Sequence, residues 1–213
     1  MLFLSPIVLA LSIYMAFTYG VLYLLFTTIP VVFRETYRFG TGVAGLVYIA
    51  MGVGNFCGWA FITAYSDRSV VRQTKDNNGV FEPEMRMPIC IYFGACLPLT
   101  FFWYGWSAEA DVHWIVPVLG LFPFSFGIMG VYLPIVTYLV DAYPMYAASA
   151  VAANTVLRSL AGMLLPMAGP PMYDRLGLGW GNSLLGFICV ALIPVPTLIY
   201  RFGKKLRGMG LQL

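Results

Sequence analysis

Charge is what this chain has least of. Lys, Arg, Asp and Glu make up 10% of its 213 residues, where a soluble domain carries about 25%. Hydrophobic residues reach 60% and the mean hydropathy is +0.81. That balance excludes a soluble globular domain and predicts a polytopic membrane protein. There is a single histidine, His113. Without Cys, His or acidic neighbours at ligand spacing, it makes no metal site. No nucleophile–base pair and no strand followed by a glycine-rich phosphate loop is visible, so nothing points to an enzyme. No apolar run alternates with a period of two, which leaves helices as the spanning elements. The net charge of +3 is small. Its cations sit at the edges of apolar runs, as topology signals do, and form no nucleic-acid patch. Cys57, Cys90, Cys96 and Cys189 all lie inside apolar runs and read as small buried hydrophobes, not as disulfides. The N-terminus has no basic region before its apolar stretch, and that stretch exceeds the ~7–15-residue core of a secretory signal. The chain opens directly inside an apolar run, which predicts further sequence upstream.

Six such runs follow, at about 2–29 (ended by Pro30), 42–65, 88–106, 114–140, 147–168 and 181–200. Each is near the ~20 residues that cross a bilayer as a helix. Arg68, Arg72, Lys75 and Arg86 fall in the connector 66–87, and Arg201, Lys204, Lys205 and Arg207 in the tail 201–213. Arg34, Arg38 and Arg175 fall on the other side. The positive-inside rule puts the first eight, and both termini, in the cytosol. The outer connectors 31–41, 107–113 and 170–180 are then short, and Trp103, Tyr104, Trp106, Trp114 and Trp180 flank them as an aromatic belt. Within the connector 66–87, the only sizeable polar segment, Asp76–Gly79 (DNNG) is turn chemistry.

One full charge interrupts the fifth run. Arg158 sits mid-span, where a cation costs a few kcal/mol and needs an anion, backbone carbonyls or a wet cavity. Asn154 lies four residues earlier, on the same helical face. Amide and guanidinium together form a directional cluster, either a contact for substrate or gate, or a structural tie between helices. Asn55 is a second amide, mid-span in the second run. In the first run, Ser12, Ala16, Tyr19, Tyr23 and Thr27 form a polar and aromatic stripe, which faces either a neighbouring helix or a water-filled cavity. Gly52, Gly54 and Gly58 in the second run mark close helix packing or a moving interface, and Pro117, Pro123 and Pro134 punctuate the fourth. Asp141, at the cytosolic end of that run, pairs with a basic residue or caps the turn before Pro144, with proton coupling as the lesser alternative.

Three stretches carry a resemblance. They are LYLLFTTIPVVF (Leu22–Phe33) with GTGVAGLVYIAMGVG (Gly40–Gly54), AYSDR (Ala64–Arg68) with PEMRMP (Pro83–Pro88), and HWIVP (His113–Pro117) with YLVDAY (Tyr138–Tyr143), YAASAVAANTVLRSLAGMLLP (Tyr146–Pro166) and LGLGWGNSLLGF (Leu176–Phe187). Over nearly its whole length the chain resembles the C-terminal six-helix half of a fungal major facilitator superfamily transporter, in the twelve-span drug:proton antiporter and secondary-metabolite efflux group. The resemblance implies an all-α integral membrane fold, one half-bundle of two inverted three-helix repeats, with the six runs as helices 7 to 12. Helices 7 and 10 would line a central cavity, while helices 8 and 11 would pack against the opposite half. Gly169–Pro170 would end helix 11. Asp67 and Arg68 match the acid–base pair of the loop motif after helix 8, a gating latch, although Thr63 and Val70 stand where that motif favours glycine. The implied function is half of a proton-coupled efflux carrier for a small amphipathic compound, a drug or secondary metabolite, with no cofactor beyond the proton gradient. The candidate substrate contacts are Tyr19, Tyr23, Asn55, Asn154 and Arg158. The implied partners are the lipid bilayer, the small-molecule substrate, and an N-terminal six-helix half or a second copy. The plasma membrane is the expected location ahead of the vacuolar membrane. The alternative is a truncated, non-transporting remnant or a regulatory partner of a full-length transporter.

Overall fold

The computed structural model describes residues 5–209. The start of the first expected run, the end of the tail, and the side chains of Lys204, Lys205 and Arg207 lie outside the described residues. Eight α-helices follow in order: α1 Pro6–Glu35, α2 Thr41–Asp76, α3 Met87–Gly94, α4 Cys96–Glu109, α5 Ile115–Gly120, α6 Phe122–Ala142, α7 Ala147–Leu192 and α8 Pro194–Met209. Short 3-10 turns, Pro83–Arg86 and Pro144–Tyr146, precede α3 and α7, and no strand occurs among the described residues.

Prolines set the subdivisions. A proline has no N–H to donate, so the carbonyl four residues earlier goes unmet and the helix kinks or restarts. The break between α3 and α4 at Ala95 sits beside Gly94, the carbonyl that Pro98 leaves free. Those at Leu121 and Ile193 sit just before Pro123 and Pro194, and the amides at both breaks tighten to three-residue bonds, Leu121 to Val118 and Ile193 to Val190. Taken across such breaks, five stretches among the described residues are long and apolar enough to cross a membrane: Pro6–Glu35, Thr41–Asp76, Pro83–Glu109, Ile115–Ala142 and Pro144–Gly203.

The expected six crossings meet five continuous stretches because the last two runs share one. Helix α7 passes through Pro166, inside the expected fifth run, and on through Pro170 and Pro171, where an outer connector was expected, and departs from helical geometry only at Gly177 (φ 73°, ψ 176°). That left-handed φ favours glycine. The bend there brings the Tyr173 phenol within 3.2 Å of Asn182 Oδ1, although residues nine apart on a straight helix are separated by about 13 Å. Helix 11 of the resemblance therefore does not stop at Gly169–Pro170, and a single glycine makes the turn assigned to residues 170–180. Pro30 likewise ends nothing, since α1 continues to Glu35. The carbonyl Pro30 frees, that of Phe26, accepts a 2.6 Å hydrogen bond from the Tyr48 phenol of α2, and that bond removes the reason to stop.

Helix α1 is the interior element: 67% of its most apolar window is buried, against 28% for α2. Leu11, Leu25, Ile29 and Phe33 of α1 are fully enclosed, together with Phe101, Phe124 and Tyr138 from α4 and α6. Small residues set the crossings. A Cβ on Gly20 would lie 2.9 Å from the Ala161 carbonyl oxygen of α7. On Gly54 and Gly58 it would lie 2.8 and 2.7 Å from the carbonyl oxygens of Phe122 and Phe126 in α6. Gly52 meets nothing within 4 Å and faces outward. Of the cysteines, Cys90 and Cys189 are buried, while Cys57 and Cys96 are only half-buried; all four are free thiols.

Candidate functional site

Arg158 lies in the first arm of α7, and Tyr19 near the middle of α1. Because α1 and α7 meet at Gly20 and Ala161, the two side chains come together at mid-span. The guanidinium carbon stands 4.3 Å from the Tyr19 ring centroid and 5.3 Å from that of Tyr132 on α6. A π face over a half-buried guanidinium is worth about 1 kcal/mol. Three helices thus share one cation, with no carboxylate involved. A salt bridge stands elsewhere, from Arg86 Nε to Asp141 Oδ2 at 2.7 Å.

Around this centre, buried polar atoms are left over. Arg158 Nε and Asn154 Oδ1 have no hydrogen-bond partner, and Asn154 is only 1% exposed. Unpaired buried polar groups in native proteins mark a ligand, water or ion site, or stored strain. From Tyr19 an aromatic ladder climbs α1: Tyr19 to Tyr23 (centroids 5.4 Å apart), Tyr23 to Phe26 (6.1 Å) and Phe26 to Tyr48 on α2 (5.7 Å). It ends at a cavity of about 380 Å³ lined by Phe26, Tyr48, Met51, Gly52 and Asn55, where Asn55 Oδ1 is also buried without a partner. Ring contacts thus link Arg158 through Tyr19, Tyr23, Phe26 and Tyr48 to the cavity that Asn55 lines, while Asn154 is buried one helical turn from Arg158. The expected stripe on α1 divides: Ser12 and Ala16 are buried, Tyr19 is half-buried, and Tyr23 and Thr27 are exposed.

Two contributors escaped the sequence reading. Tyr132 carries no signal in the sequence, because a tyrosine in an apolar run is ordinary and no spacing ties it to Arg158. Glu109 is the other. Its Oε2 accepts from the backbone N–H groups of Leu178 (2.8 Å) and Gly179 (3.1 Å), capping the helical arm that restarts after Gly177 with the carboxylate an N-terminal dipole favours. Beside it, a cavity of about 430 Å³ is lined by Thr27, Thr28, Glu35, Glu109, Tyr173 and Asp174 among others.

At the opposite end, Asp67 and Arg68 are both exposed on α2, and neither joins a salt bridge. The charge pairing seen there is Arg86 with Asp141, the pairing role expected for Asp141. A Cβ on Gly203 of α8 would lie 2.7 Å from Glu84 Oε1, which sets the end of α8 beside the connector 66–87.

Long apolar helices joined by short connectors, with a cation held on aromatic faces at mid-span, define a multi-pass membrane bundle. Residues 1–166 match the family described as the Major Facilitator Superfamily, and the chain belongs to that superfamily. It is 50% identical over 207 residues to the MFS transporter cpaT of Aspergillus oryzae, covering 97% of this chain and 42% of that protein. It is 50% identical over 208 residues to the MFS transporter prlG of Fungal sp. (strain NRRL 50135), at 97% and 44%. To the MFS-type transporter penM of Penicillium rubens it is 49% identical over 207 residues, at 97% and 41%. The chain spans about two-fifths of the length of these curated relatives. No solved structure matches it.

Proposed function

We propose that this chain is one bundle of a secondary transporter that exports a small amphipathic compound, a drug or secondary metabolite, at the expense of a proton gradient and without any other cofactor. The observation that carries this reading is Arg158. A mid-span cation with no carboxylate partner, held by Tyr19 and Tyr132 beside the unpartnered Asn154, is costly in a membrane and suits a groove that meets solute. Tyr23 and Asn55 extend that groove. Substrate sites of such carriers lie near the bilayer midplane between two bundles that rock against each other. The names of the relatives, and the two-fifths of their length that this chain covers, support a second bundle as partner, either an N-terminal six-helix half or a second copy of this chain. In this arrangement Asp67 and Arg68 latch the cytosolic ends in one state, both termini are cytosolic, and the protein works in the plasma membrane.

The test is export from a cell lacking its own efflux pumps. The chain is expressed alone, and together with the part of the cpaT transporter that it does not match. Accumulation of a fluorescent amphipathic dye is then measured with and without a proton uncoupler. Uncoupler-sensitive export by the pair, reduced at least tenfold by Arg158→Ala, is the expected result. Absence of export while both pieces reach the membrane would instead favour a non-transporting remnant or regulatory partner.

A further inference from the structure

We infer that the Arg158 seat selects its occupant by charge, taking the carboxylate of an aromatic organic anion. The inference rests on the transporter reading only in treating this groove as a place that meets solute.

Guanidinium groups stay charged in proteins, and this one has no counter-ion nearby. Asp174, the next carboxylate along α7, is sixteen residues on (174 − 158), or about 24 Å along a straight helix. Asp141 is engaged with Arg86. The rings of Tyr19 and Tyr132 approach the guanidinium but accept no hydrogen bond from it, and Nε remains unpartnered. A planar guanidinium carries its N–H donors in a fork that matches a carboxylate bidentately. Asn154, one turn earlier, is almost fully buried with an unpartnered side-chain oxygen. Its amide can turn to present Nδ2–H₂ instead, because oxygen and nitrogen exchange places by a simple flip. Arginine and asparagine together then offer donors and no obligatory acceptor, which is the complement of an anion. The surroundings specify the rest of the occupant. Tyr19 and Tyr132 are half-buried, and Tyr23, 43% exposed, continues the aromatic surface from Tyr19. A flat ring system attached to the carboxylate would lie against these faces.

The seat is tested with 2-naphthoate and 2-naphthamide, nearly isosteric probes differing in charge. Each is titrated calorimetrically at pH 7 and low salt into the chain in lipid nanodiscs, with empty nanodiscs subtracted. Charge-assisted hydrogen bonds make a tenfold or greater preference for the naphthoate the expected result. Arg158→Gln should erase it and Arg158→Lys should keep part of it. Asn154→Asp, which supplies an internal counter-ion one turn away, should erase it as well. It also decides the matter should Arg158→Gln fail to fold. Equal affinities in the unaltered chain, or a preference that survives Asn154→Asp, would overturn the inference. Binding needs no export, so the two readings fail separately. A naphthoate preference without dye export sinks the transporter reading alone, and export with equal affinities sinks the charge selection alone.

Discussion

At Pro30 the chain omits one backbone donor, and a phenol from another helix supplies the replacement. Tyr48 donates to the orphaned Phe26 carbonyl at 2.6 Å, which ties α2 to α1 at the aromatic ladder beside the Asn55 cavity. Hydrogen bonds between membrane helices are worth about 0.6 kcal/mol on average and rarely more than about 1.7. Tyr48→Phe, which keeps the ring and removes the donor, is therefore expected to destabilise the bundle by about 0.5–1.5 kcal/mol. Reversible unfolding in mixed micelles measures this, and a change below about 0.2 kcal/mol would show that water or lipid satisfies the carbonyl equally well. Arg158, Asn154 and Asn55 were conspicuous, because polar side chains are rare in apolar runs. Tyr132 and Glu109 were not, because each acts only on a residue that folding brings to it.

Among elements, glycine position decides which helix can approach which. Gly54 and Gly58 let the carbonyls of Phe122 and Phe126 come within Cβ distance, so α2 lies directly on α6. Gly54→Leu would force backbone against backbone and is expected to cost about 1–3 kcal/mol, as overpacking does. Gly52→Leu, with open space around it, should stay within about 0.5 kcal/mol of the parent. Thermal unfolding of both variants in the same detergent checks the contrast; equal losses would mean that α2 packs on its other face. The spacing of these glycines was legible in the sequence, whereas their division between packed and open was not. The α1 and α7 boundaries show the same limit. Proline and Gly–Pro stretches read as stops at Pro30 and Pro170, yet both helices continue; at Pro30 the Tyr48 phenol meets the freed Phe26 carbonyl, so the lost donor breaks nothing. The actual bend falls at Gly177, where a left-handed φ and the Glu109 cap act together.

For the whole molecule, the outward surface is the feature to explain. Leu46, Ile49, Val53, Phe56 and Trp59 form an exposed apolar stripe on α2, and Val156, Leu160, Met163 and Met167 form another on the first arm of α7. Lipid covers such a face as well as protein does, so exposure alone does not choose between them. The outward Gly52 on α2 does offer a handle, since small residues let a second helix approach. Under the proposed two-bundle arrangement, Gly52→Trp should leave the stability of this chain within about 0.5 kcal/mol. It should also reduce co-purification with the matching portion of the cpaT transporter several-fold. Unchanged co-purification would place α2 against lipid.

Composition, run length and the rarity of charge were enough to establish a helical, multi-pass membrane protein, and its motifs were enough to resemble the superfamily it belongs to. Those properties are set by solvent: residues that must leave water in segments of bilayer length do so whatever their neighbours are. Tertiary structure alone decided that Arg158 rests on Tyr19 and Tyr132, that Asp141 pairs with Arg86, and that one glycine makes the last turn. Each of these depends on a partner far away in sequence. Their geometry comes from the close crossings at Gly20, Gly54 and Gly58, where missing side chains let particular helices meet at particular depths.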